Sequence, residues 1–124
     1  MEVIDSRYTV IHNRGSKGAL RLLASAVSTG TFKAGDVIKF SIVEKDDYAN
    51  VVLQKRFTVK EDCTEFFLVF TGEEMKIGDI ISKKKEYYYE IELNEDTTLL
   101  GSYKDGHKRF VLYPEAGEKG EVNS

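Results

Sequence analysis

A two-residue rhythm constrains this chain more than any other feature. From Val37 to Val43, Ile38, Phe40 and Ile42 alternate with Lys39 and Ser41. Successive strand side chains point to opposite faces, so the pattern spells a half-buried strand. Tyr87, Tyr89, Ile91 and Leu93 alternate in the same way with Tyr88, Glu90 and Glu92. Val51 to Lys60 sets Val51, Leu53, Phe57 and Val59 against Gln54, Arg56 and Thr58. Lys55 interrupts that apolar row, the mark of a strand end or an edge. Phe66 to Phe70 is apolar on both faces, which predicts neighbours on either side or a covering element. Phe67 and Val69 are therefore expected to be covered.

Turn signals divide these runs. Lys104-Asp105-Gly106-His107 separates Thr97–Tyr103 from Lys108–Tyr113. Asp-Gly favours the positive φ of a two-residue turn, so the two runs are predicted to form a hairpin. Tyr8 to Ile11 reads as a short strand ending at Asn13-Arg14-Gly15. In Ala19 to Val27, Leu20, Leu22 and Leu23 fit either period; Gly18 before it and Ser28-Thr29-Gly30-Thr31 after it favour a strand. One short helix is predicted after Thr71, where Thr71 and Glu74 match a capping box and Lys76 and Gly78 mark the end. Six or seven short strands at intervals of roughly ten residues predict an all-β, antiparallel β-sandwich with that one helix.

With 124 residues the chain suits one domain, placed at 1–114. Residues 115–124 are polar, acidic and Gly-containing and read as a flexible tail. Seven Tyr and seven Phe supply material for a core, which argues against disorder. A single Cys forms no internal disulfide. No apolar run approaches the roughly 20 residues of a membrane-spanning helix, and the first residues lack a secretory pattern, so no membrane association is expected. The net charge is −3, and a binder of nucleic-acid backbone normally carries a positive excess, so no nucleic acid is expected as a partner.

The search for chemistry yields no catalytic set. His12 and His107 fall in or beside predicted turns and read as exposed polar residues outside any metal-ligand spacing. Cys63 lies in an acidic turn, which does not activate a thiol. Asp46-Asp47, Glu61-Asp62, Glu73-Glu74 and Glu95-Asp96 lack the alternating spacing of a calcium loop and read as solvated turn residues. Lys83-Lys84-Lys85 beside Tyr87-Tyr88-Tyr89 has the composition of a single-strand nucleic-acid platform, but Tyr87 and Tyr89 belong to the core face. No enzyme activity, metal site or cofactor is expected. Tyr88 and Tyr113 are predicted to face away from the core, as interface residues or under a covering element. Glu115, where the tail begins, is the third candidate interface residue.

The order of the motifs carries a resemblance. It runs through Phe32-Lys33-Ala34-Gly35-Asp36-Val37-Ile38-Lys39-Phe40, then Val52 to Val59, then Phe66 to Thr71 with Gly72-Glu73-Glu74. It continues through Tyr88 to Asn94, Thr97-Thr98-Leu99-Leu100-Gly101, and Lys108 to Glu115. This resembles the small immunoglobulin-like β-sandwich domains of tailed phages and prophages of low-GC Gram-positive bacteria. It is similar to the N-terminal domain of upper baseplate proteins, over about residues 8–115. Those motifs are turns and strand patterns, so they speak to fold more than to activity. The resemblance implies a non-enzymatic structural or adaptor protein of the tail or baseplate. Such a protein is made in the bacterial host cytoplasm, resides in the virion, and docks onto other tail or baseplate proteins in several copies. A carbohydrate or cell-surface binding module is the alternative, with Tyr48, Tyr88 or Tyr103 as a stacking platform.

Overall fold

The computed structural model describes residues 1–101 and 106–115. Its strands are β1 (Glu2–Val3), β2 (Val10–Asn13), β3 (Gly18–Leu23), β4 (Val37–Glu44), β5 (Val51–Thr58), β6 (Glu65–Phe70), β7 (Lys85–Leu93), β8 (Thr97–Leu100) and β9 (Lys108–Tyr113). The all-β expectation holds. The alternating runs become strands because each half-row finds an apolar layer: Ile38, Phe40, Ile42, Tyr87, Tyr89 and Ile91 are essentially inaccessible to water.

Seven strands form one sheet in the order β1-β2-β9-β7-β4-β5, with β8 also on β7. β3 and β6 form a second, antiparallel pair. The two sheets pack through aromatic rings. Phe70 of β6 lies 5.1 Å from Phe40 and 5.5 Å from Phe57, and Phe66 lies 6.4 Å from Phe57. β5 ends the large sheet, as Lys55 suggested. Its ammonium leans over the Phe57 and Phe70 rings at 5.1 and 5.5 Å.

Four sequence expectations need correction. The large sheet is mixed rather than antiparallel, because β2 runs parallel to β9 from Val10↔Phe110 to Asn13↔Tyr113. The short helix is a single hydrogen-bonded turn. Its capping box forms, with Thr71 N–H donating to Glu74 Oε1 at 2.8 Å and Glu74 N–H to Thr71 Oγ1 at 3.1 Å. The turn stops there because Met75 and Ile77 enter the core, Gly78 takes φ 64°, and Arg14 claims the next carbonyls. The buried Arg14 guanidinium donates to Ile77 O at 3.0 Å and to Gly78 O at 2.8 Å.

The third correction concerns the predicted hairpin. β8 and β9 do not pair with each other; both lie along the same edge of β7, with Leu100 opposite Ile91 and Lys108 opposite Tyr89. They lie one after the other along β7. Part of the Asp-Gly turn, residues 102–105, lies outside the described residues, as does Tyr103. The tight hairpin turn is instead at Asn94 and Glu95, whose φ values are 53° and 59°. Gly101, just after β8, has φ 87°, and a Cβ there would lie 2.6 Å from Tyr89 O. Lastly, Phe67 and Val69 are exposed rather than covered, because among the described residues no element lies over the outward face of β6.

Candidate functional site

Two surfaces gather the residues with functional potential. The first lies on the outward face of the large sheet. Tyr88 projects from β7 and stacks on His107, with ring centroids 4.6 Å apart and planes at 18°. Tyr48, from the loop between β4 and β5, closes the group at 4.7 Å from His107 and 6.4 Å from Tyr88. That loop is held tightly, with Asn50 N–H on Asp47 O and Glu44 N–H on Asn50 O. The Tyr48 hydroxyl donates to Glu90 Oε2 at 3.2 Å. Burial and the adjoining Glu90 carboxyl push that phenol up to about 12. Glu90 itself is pushed up to about 7, first by partial burial and then by a hydrogen bond and like charge from Glu92. Glu92 in turn pairs with Lys39 at 3.4 Å.

This cluster is internally occupied. One face of the Tyr88 ring is taken by His107, and the Tyr48 and Tyr88 planes meet at 50°. Among the described residues it offers no coplanar exposed aromatic pair.

The second surface belongs to the small sheet. The outward positions of β3 and β6 are Ala19, Arg21 and Leu23 opposite Val69, Phe67 and Glu65. Leu23, Phe67 and Val69 are 45, 48 and 54% exposed, and they share this one face. The face carries one ion pair, Arg21 with Glu65 at 2.5 Å. Beside it, between β3 and the β7–β8 edge, runs an apolar groove of about 340 Å³. Leu20, Leu22, Tyr89, Ile91 and Leu100 line it, with Val3 and Tyr8 at its rim. Tyr8 is held there at φ 59° by the Tyr89 hydroxyl, which donates to Tyr8 O at 2.5 Å.

The sequence candidates do not converge. Tyr88 lies in the aromatic cluster, opposite Arg109 of β9. Tyr113 is four residues further along β9, roughly 14 Å away at strand rise. It is exposed at the rim of a shallow hollow with Met1, Glu2, Ile11 and His12. Glu115 is exposed and lays its carboxylate against Gly15, so close that a Cβ there would be 2.6 Å from Oε2. Residues 116–124 of the expected tail lie outside the described residues.

His12 is buried in β2 rather than exposed in a turn. It packs over Gly18 and bonds to Ser16 O at 2.6 Å through Nε2, and burial holds its pKa below the ordinary histidine range. His107 is exposed, as expected. Cys63 is half-buried and pairs its backbone with Phe32 through bonds of 2.8 and 2.9 Å. Among the described residues no three His, Cys, Asp or Glu side chains converge as a metal site, and no helix is long and apolar enough to cross a membrane.

Sequence reasoning missed the groove and the bare face beside it. The signal was present in Phe66 to Phe70, apolar on both faces, but it reads equally as a buried strand. The sequence matches no family model and no curated protein, and the fold matches no solved structure.

Proposed function

We propose that this chain is a non-enzymatic adaptor module of a phage or prophage tail or baseplate, acting through protein–protein contacts. The observation that carries the reading is the apolar outward face of the small sheet, where Leu23, Phe67 and Val69 stand open to water. Several exposed apolar side chains gathered on one sheet face, rimmed by charge, are the composition of a docking surface. The phage assignment rests on the motif resemblance from Phe32 to Glu115.

The finer architecture we propose is an immunoglobulin-like sandwich. Strands β3-β6 facing β9-β7-β4-β5 follow the B-E pair facing the G-F-C-C′ sheet of that fold in chain order. Such a sandwich presents loops at its ends and strand edges at its sides, which suits repeated assembly with neighbours.

Cross-linking mass spectrometry of particles induced from the host tests the assignment. The expected result is this chain in purified particles, cross-linked through Arg21-proximal and β6 residues to a tail or baseplate protein. Its absence from particles overturns the tail assignment.

A further inference from the structure

The two open edges of the small sheet differ. Ala24 N–H donates to Thr64 O at 2.9 Å, and the register pairs Leu22 with Phe66, Leu20 with Leu68 and Gly18 with Phe70. Along an antiparallel ladder, backbone groups point alternately toward and away from the partner strand. Gly18, Leu20, Leu22 and Ala24 therefore face β6, and Ala19, Arg21 and Leu23 turn their N–H and C=O groups to the opposite side. Among the described residues no strand or side chain pairs with them there. At the free edge of β6 the equivalent carbonyl is guarded, with Lys55 Nζ 2.9 Å from Val69 O. Among the described residues the β3 edge has no such guard, and it borders the apolar groove.

We propose that the free edge of β3 and the groove beside it bind an extended segment of a partner protein as an added strand. That segment carries apolar side chains at alternate positions and a carboxylate that meets Arg21. The proposal rests on the small sheet being a docking surface, and names what docks there.

Only another backbone matches a row of alternating donors and acceptors at strand spacing. The side chains that such a strand turns inward enter the groove between Leu22, Ile91 and Leu100. The groove's 340 Å³ suits several aliphatic groups, since an apolar cavity of about 150 Å³ already holds benzene. A second copy of this chain paired through its own β3 does not fit. Its Leu20 and Leu22 are already buried in its own core and leave the groove empty. Charge completes the description. Among the described residues Arg21 is the one charged residue lining the groove; its Nε holds Glu65, and its side chain is 59% exposed. The remaining guanidinium N–H groups await a carboxylate from the incoming strand.

The test is amide hydrogen exchange by NMR on the full chain, with and without a capped synthetic peptide of about seven residues. The peptide alternates leucine or valine with threonine and carries one central glutamate. Without peptide, the Ala19, Arg21 and Leu23 amides exchange faster than those of Leu20 and Leu22. At saturation they slow by about tenfold or more. Arg21→Glu weakens binding about tenfold, and a twin peptide N-methylated on its edge-facing amides does not bind.

Equal binding by the methylated twin, or unchanged exchange at those three amides, overturns the proposal, as does failure to bind at millimolar peptide. These arms need only the purified chain and so stand apart from the particle experiment. Strand addition by a chain absent from particles refutes the tail assignment and leaves the edge site standing. Its failure in a chain present in particles does the reverse.

Discussion

The two sheets of this protein share one core but end in opposite kinds of surface. The outward face of the large sheet is laced with charge pairs. Arg56 meets Glu95 at 2.6 Å, Lys39 reaches Glu92 and Glu95 at 3.4 and 3.7 Å, and Arg109 and Lys45 share Glu86 at 3.2 and 3.8 Å. The outward face of the small sheet sets one ion pair among Ala19, Leu23, Phe67 and Val69. Exposed pairs contribute little stability each, so the charges do not explain why the first face folds. They cover it with groups that water solvates well. The second face lacks that cover, and the docking proposal rests on this contrast.

The sharpest way to break the comparison is at the layer both faces share. Phe70 points inward from the same strand that displays Phe67 and Val69, and it packs on Phe40 and Phe57. Phe70→Ala should cost about 3–5 kcal/mol in denaturant unfolding. A loss near zero would mean that the small sheet is not part of the core, and its outward face would then need no partner to explain it.

Next comes Lys55, which guards one edge of the small sheet. Its ammonium bonds Val69 O and Glu74 Oε1, both at 2.9 Å. Lys55→Val should cost about 1–2 kcal/mol and introduce concentration-dependent self-association, read by light scattering. A monomeric variant would show that the ammonium is no guard, and would weaken the contrast drawn between the β3 and β6 edges.

The legibility of these features in the sequence follows from their range. Strands β4 and β7 were readable because one face of each meets the core, so the alternation of Ile38-Phe40-Ile42 and Tyr87-Tyr89-Ile91 survives in the chain. The Thr71–Glu74 capping box was readable because its partners are three residues apart. Its arrest after one turn was not, because that depends on Arg14, 63 residues from Ile77. The parallel β2–β9 pairing and the collinear β8 and β9 are choices between distant strands that local turn chemistry does not encode. Asp105-Gly106 suggested a hairpin between segments that instead both pair with the long edge of β7. Of the candidate residues, Tyr88 and Tyr113 both face away from the core, as their place in the alternation implied. The groove escaped notice because its lining residues read individually as ordinary core.

A smaller effect distinguishes the faces by pH. On the charged face, the Glu90 carboxyl is pushed up to about 7 from an ordinary value of 4.5. Between those values the folded protein holds a proton that the unfolded chain has released. Stability therefore falls as pH rises through that window, and levels off above about 7. Glu90→Gln should remove that fall and make the variant the more stable form at pH 8, as read from melting temperatures across the range. Retention of the same slope in the variant would place the titrating group elsewhere.

The smallest expected effect on stability is the most informative about function. Phe67 and Val69 already face water, so Phe67→Ser and Val69→Ser remove little buried surface. Each should change unfolding free energy by no more than about 0.5 kcal/mol. Serine gives up some β-propensity and the cross-strand contacts with Arg21 and Ala19, which makes the loss small rather than zero. The double variant should at the same time be more soluble and disappear from assembled particles while remaining folded in the cell. That combination separates a docking face from a structural one. A face that stabilises the isolated chain loses stability when made polar, whereas a face that meets a partner loses only the partner. A double variant that unfolds at markedly lower denaturant would show that these side chains are held by the chain itself, and the contrast between the two sheets would then be one of composition rather than purpose.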